Sequence, residues 1–144
     1  MADKNVAQQL AQAWMESAPG PVGGREQGGF VVETATGLKV ARWPAGEQDK
    51  IMSIPPHPGC RIAEGAMVAS FHTHPSTGPE FMQEPSETDQ RMLRRDPNLK
   101  AADYVGEFVI SEAHIYLVAK TGEVEMVGPT ARFLPPGGKD TFNA

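Results

Sequence analysis

The strongest constraint on what this chain can fold into is the stretch Ala69-Ser70-Phe71-His72-Thr73-His74-Pro75, followed by Pro85-Ser86-Glu87-Thr88-Asp89. The first piece reads as a short apolar strand ending in two histidines. A strand repeats every two residues, so His72 and His74 leave the same face. The second piece reads as a helix start. Ser86 suits the N-cap, and Glu87 and Asp89 put negative charge in the first turn, where the helix dipole favours it. Asp89 then stands at the third helical position, from which its carboxylate reaches back toward the cap. An acidic residue there stabilises a helix by about 0.3–1 kcal/mol without any ligand. Beside two strand histidines, the same residue also completes three donors for one zinc ion, with a fourth position left for water.

The remaining metal chemistry is narrowed by the single cysteine, Cys60. One thiol excludes an internal disulfide and a cysteine-based zinc site, so a metal here must rest on His and carboxylate. A nucleophilic role for Cys60 has no local motif behind it, and it is expected to be a semi-buried thiol. With 144 residues, 40% of them hydrophobic and 22% charged, the chain suits one domain with a real core. Its net charge of −5 and lack of a basic run beyond Arg94-Arg95 disfavour nucleic-acid partners. No stretch is long and apolar enough to span a membrane, and no apolar segment follows the first residues. A cytoplasmic location is expected, and export without a cleaved signal stays compatible with it.

The flanking segments supply a sheet. Val6, Leu10 and Trp14, with Ala7 and Ala11, predict an amphipathic helix over 3–18 that stops at Pro19-Gly20-Pro21. Residues 19–25 read as a Gly/Pro loop. The strand formers Phe30 to Thr34, a turn at Thr36-Gly37 and the run Leu38 to Trp43 predict a hairpin. On its second strand, Leu38, Val40 and Arg42 share one face and Lys39, Ala41 and Trp43 the other. Residues 44–65 and 75–85 read as long loops, of the kind that more often serve a site than decorate a surface. Residues 66–71 suit a buried central strand, and Ser86 opens a helix that Asp96-Pro97 ends. Strands are expected at 104–111, 115–119 and 124–127. The expected arrangement is one α/β (α+β) domain, 1–144, with a mixed central sheet flanked by helices. Its core lies at about 5–127, and a Pro/Gly-rich tail at 128–144 is expected to fray.

At His72-Thr73-His74-Pro75 and Pro85-Ser86-Glu87-Thr88-Asp89 the chain resembles the JAMM (MPN+) zinc metalloproteases, a family with a cytidine-deaminase-like fold. Glu26-Gln27-Gly28-Gly29-Phe30-Val31-Val32 is similar to the family's glutamate-bearing early strand, with Gly28 where many members have Cys. The resemblance covers about residues 5–127. It implies a single Zn2+ held by His72, His74 and Asp89, with Glu26 as general base and Ser86 hydrogen-bonding the oxyanion or the water. It also implies cleavage of peptide or isopeptide bonds, with a peptide or protein substrate that includes ubiquitin-like tails.

Eleven residues separate His74 from Ser86, more than the family usually has. Glu80, Phe81 and Glu84 lie in this lengthened loop as candidate substrate contacts. The longer loop and the Glu-Gln-Gly-Gly variant are closer to a bacterial branch found in effector, toxin or phage-associated settings than to eukaryotic deubiquitinases. Glu33, Glu47 and Glu64 compete with Glu26 for the role of base. Alternation puts Glu33 on the opposite face from Glu26. His57 and His114 are expected to be solvated turn residues. Two rival readings stand beside the amide hydrolase: a binding or scaffold module of the same fold, and a hydrolase of another bond, such as one in peptidoglycan or a nucleotide.

Overall fold

The computed structural model describes residues 3–44, 54–78 and 82–134. Among them, helix α1 (Lys4–Glu16) is followed by strands β1 (Gly28–Thr34) and β2 (Gly37–Arg42). A short β3 (Arg61–Ile62) and the long β4 (Gly65–Thr73) come next, then helix α2 (Glu87–Arg95). The chain continues through β5 (Glu107–Ile110), β6 (His114–Val118), β7 (Val124–Pro129) and a single turn of helix, α3 (Thr130–Phe133). The strands form one mixed sheet in the order β2-β1-β4-β5-β6-β7, with β3 paired to β4. Only β4 and β5 run parallel; every other pairing is antiparallel. The α+β class expected from the sequence is therefore observed.

The sheet buries both faces. On one side α1 packs Val6, Leu10, Ala11 and Ala13 against Val31, Ala69, Phe71, Ile110 and Ile115. On the other side Leu93 of α2 joins Phe30, Val32, Trp43, Met67, Val109 and Val118. The alternation read from the hairpin holds: Leu38 and Val40 meet α1, and Trp43 meets the opposite core. One bulge interrupts the pattern. Val31 pairs with Ala69 and Val32 with Met67, which leaves Val68 unpaired. That extra residue lets Met67 share a face with Ser70 and His72 despite the odd spacing. The stripe of α1 runs through Ala13, three residues past Leu10, and Trp14 sits half-buried at its margin rather than anchoring the core.

Several expectations are corrected. The described part of the tail, 128–134, does not fray: β7 runs to Pro129, Thr130 Oγ1 donates to the Ser111 carbonyl at 2.8 Å, and Leu134 is buried, while 135–144 lie outside the described residues. His57 is no free turn residue. Its Nδ1 lies 2.8 Å from the Pro55 carbonyl and its Nε2 2.7 Å from Asp96 Oδ2, which ties the Pro-rich segment to the end of α2. His114 opens β6 and is half-buried, its ring 6.2 Å from that of Tyr116. Cys60 is fully buried, and burial pushes its thiol pKa up, so it is a core residue and a poor nucleophile.

The two loops read separately in the sequence are joined. Gly20 N donates to the Pro75 carbonyl at 3.1 Å, and Thr77 N donates to the Gly20 carbonyl at 2.7 Å. Gly78 N reaches the Pro21 carbonyl at 3.0 Å, and Gly23 N the Ser76 hydroxyl at 3.0 Å. This brace ties the chain entering β1 to the chain leaving β4. Its closeness requires Gly23, where an added Cβ would meet the Pro75 carbonyl carbon and oxygen at 2.5 Å. A Gly23→Ala substitution is expected to prise the brace apart and cost about 1–3 kcal/mol. Urea unfolding of the variant beside the parent chain measures it; equal midpoints would show that the brace is slack.

Candidate metal centre

β4 carries His72 at its second-last position, and His74 follows its end. Both rings leave the face that α2 covers. Their Nε2 atoms lie 3.1 Å apart. From the other side comes α2, whose first turn is set by a capping box. Asp89 N donates to Ser86 Oγ at 3.1 Å, and Ser86 N donates to Asp89 Oδ2 at 2.7 Å. This fixes the Asp89 carboxylate, which lies 3.4 Å from His72 Nε2 through Oδ1 and 3.5 Å from His74 Nε2 through Oδ2. The three residues offer one ligand atom each within a single small cluster. A tetrahedral zinc with bonds near 2.0–2.1 Å has ligand–ligand edges of about 3.3 Å, and the separation of the two nitrogens and the distance from each to its nearer Asp89 oxygen are of that size.

The far nitrogens of both rings are already engaged. His74 Nδ1 donates to the Gln83 carbonyl at 3.2 Å, and His72 Nδ1 donates to Glu107 Oε2 at 2.6 Å. A carbonyl oxygen can only accept, so in the neutral ring His74 keeps its proton on Nδ1 and presents a bare lone pair at Nε2. Outer partners of this kind orient metal-binding histidines. Glu107 was not anticipated from the sequence. A lone glutamate in Tyr104-Val105-Gly106-Glu107-Phe108-Val109-Ile110-Ser111 looks like the polar tooth of an alternating strand. The one available signal was its place in a strand otherwise apolar enough to be central.

Glu26 falls just before β1 rather than within it. Gln27 N takes the Thr73 side-chain oxygen at 3.0 Å, while Thr73 N donates to the Gln27 carbonyl at 2.9 Å. The ladder is therefore irregular for one step and begins at Gly28, opposite His72. Counting back, Glu26 aligns with His74. Gln27 turns its side chain to Arg42 on the α1 side, at 2.6 Å, which leaves Glu26 for the site. Burial pushes its carboxyl pKa up, and the charges of His72 and His74 pull it back, so all three lie within electrostatic reach. Glu33 is exposed near the far end of β1, and Glu64 is exposed in the turn before β4, so neither competes; Glu47 lies outside the described residues. Gly28 has a local cause. An added Cβ would meet the Trp43 ring at 2.6 Å, so the indole fills the space that a side chain would need.

Ser86 is half-buried with its oxygen accepting from the helix, which leaves its hydrogen to donate elsewhere. Glu84 is exposed on the loop before α2, close enough to push the Tyr116 phenol further up after burial has done so. Glu80 and Phe81 lie outside the described residues. No helix among the described residues is long and apolar enough to cross a membrane.

The charges of this cluster favour occupation. Desolvation and the bonds from His72 and His74 oppose each other at Asp89, and the histidines win, holding its carboxyl far below the usual range. Burial would push the His72 imidazolium down, but Glu107 and then Asp89 outweigh it and hold its pKa well above normal. Without metal, the Asp89 contribution to stability is present above the ordinary carboxylate pKa and lost as pH falls through its depressed value. The His72 contribution is present below the ordinary imidazole pKa and lost as pH rises through its elevated value. A metal must displace the His72 Nε2 proton. Zinc affinity is therefore expected to climb with pH by on the order of tenfold per unit while that proton is bound. Competition against a chromophoric chelator across neutral pH measures this, and a flat profile would remove His72 from the ligand set.

Searches against protein-family models, curated proteins and solved structures returned no match to this chain.

Proposed function

We propose that this chain is a zinc-dependent hydrolase of amide bonds, peptide or isopeptide, on a JAMM-like domain. The observation that carries the reading is the gathering of His72, His74 and Asp89 into one small cluster, with the two Nε2 atoms 3.1 Å apart and an Asp89 oxygen 3.4 Å from one and 3.5 Å from the other. Glu26, just before β1, is within electrostatic reach of all three, and Ser86 caps α2 through its bonds with Asp89. His72 and His74 would hold the ion through Nε2, and Asp89 through a carboxylate oxygen.

When bound, zinc supplies Lewis acidity that polarises the scissile carbonyl and eases ionisation of the attacking water. The protein does the rest. The Glu26 carboxylate takes the proton of that water and delivers it to the departing amine. Its partial burial favours this work, because a raised pKa brings a carboxylate nearer the range where a base can also act as acid. The Ser86 hydroxyl, with its oxygen committed to the helix cap, donates its hydrogen to the developing oxyanion. The loop between His74 and Ser86 borders the cluster at both ends, so it sets which chains reach the site. A ubiquitin-like tail or a peptide from a bacterial wall is the substrate class to try first.

Glu26→Gln is expected to retain stoichiometric zinc and lose turnover on an amide substrate by about 10²–10⁴-fold. Zinc content by metal analysis and initial rates on the same preparation check both halves. Unchanged turnover would strike Glu26 from the mechanism, and wild-type protein purified gently with little zinc would favour a binding module instead.

Ser86→Ala separates two roles. Loss of the cap should cost about 1 kcal/mol in chemical unfolding. Loss of the oxyanion donor should lower kcat by about 10²-fold at temperatures where the variant stays folded. A variant that shows only the stability loss would make Ser86 a cap and nothing more.

A further inference from the structure

Behind His72 runs a chain of buried polar groups that the proposed reaction does not use. Tyr104, Ser70 and Glu107 are 0%, 1% and 4% exposed, so none has water as an alternative partner. Tyr104 precedes β5, Ser70 lies on β4 two residues before His72, and Glu107 opens β5 directly opposite Ser70. The Tyr104 hydroxyl is 2.6 Å from Ser70 Oγ. Ser70 Oγ donates to Glu107 Oε1 at 2.8 Å, and Glu107 Oε2 accepts from His72 Nδ1 at 2.6 Å.

The direction of the chain follows from counting hydrogens. Ser70 has one, and the carboxylate receives it. Tyr104 must then donate to Ser70, and both Glu107 oxygens accept. Every group is satisfied in this one arrangement, which leaves no other role for His72 Nδ1 than that of donor. A carboxylate buried in an apolar sheet is costly unless fully hydrogen-bonded. Two oxygens with two fixed donors meet that condition, and one of the donors is a ring whose other nitrogen faces the metal cluster.

We propose that Glu107, held by Ser70 and Tyr104, is a positioning residue for the metal: it fixes His72 in the Nδ1-protonated form, locks the ring direction and places a second negative charge behind the ion. The inference rests on the hydrolase reading only in taking the cluster to be a zinc site. Charge at this position acts through the imidazole, making Nε2 a stronger donor to the cation, while the Ser70 hydrogen bond keeps the carboxylate from rotating away.

Two measurements test it. Glu107→Gln preserves shape and can still accept from His72 but removes the charge. In a chelator competition its zinc affinity should fall by about 10–100-fold relative to wild type, and the visible spectrum of the cobalt-loaded protein should shift. The second measurement needs no variant and stands even if the glutamine chain fails to fold. Ring nitrogen NMR of the zinc-loaded wild type should show His72 protonated at Nδ1 with its Nε2 shifted by metal, and the Nδ1 proton far downfield.

Equal zinc affinity in the two chains, or a His72 ring protonated at Nε2, would overturn the assignment and leave the hydrolase reading standing. A weakened Glu107→Gln beside a tight wild type that cleaves no amide would support the assignment and overturn the hydrolase reading. Wild-type protein that takes up neither zinc nor cobalt would overturn both.

Discussion

The arrangement depends on one register, that of β1 against β4. Gly28 opposite His72 puts Glu26 in line with His74, so a base candidate and two candidate metal donors leave the same face at the same edge. A slip of one residue would send Glu26 to the α1 side and Gln27 to the site, because strand faces alternate. The register is protected because both faces are buried. Phe30 and Val32 belong to one core and Val31 to the other, so a slip of one residue would exchange them. The bulge at Val68 then absorbs the mismatch further along β4 without disturbing the end that carries the histidines. The brace between the two Gly/Pro segments holds the same edge from outside the sheet.

The other half of the site is a helix end. Asp89 serves the first turn of α2 through one oxygen and faces His72 with the other. Asp89 thus both starts the helix and faces the cluster. α2 is in turn located by Leu93 in the core and by the His57–Asp96 contact at its far end. The carboxylate can therefore keep its direction without support from an ion, which is what pre-organisation of a metal site requires.

Much of this was legible in the sequence, for reasons that differ by element. α1, the hairpin and β4 announce themselves by period, and α2 by its cap. The candidate metal donors stand out because two histidines at strand spacing and an aspartate at a helix start are residue types with few other joint uses. What stayed hidden was made by distant backbone or by single buried polar groups. The Gly20–Pro75 brace leaves almost no side-chain pattern, since three of its four bonds are between main chains and only Ser76 lends a side chain. Glu107 and Ser70 look like the polar teeth of ordinary strands, and only the parallel pairing of β4 with β5 brings them together. His57 gave no sign of its partner, because Asp96 lies thirty-nine residues away at a helix end. The start of the tail, 128–134, was misread because Pro and Gly were counted as loop signals. Gly128 and Pro129 instead finish an edge strand, where a missing amide does less harm.

The hydroxyl chain behind His72 has a topological consequence. It starts at a phenol with no exposed surface, and burial, followed by the charge of Glu107, pushes that phenol further from ionisation. It is a cul-de-sac: a proton that reached Glu107 could go no farther than Tyr104 and would have to return the way it came. Glu26, within electrostatic reach of the cluster, is by contrast only half-buried. The core thus works as an electrical insulator on one side of the cluster, and whatever protons the site moves must come and go through the other.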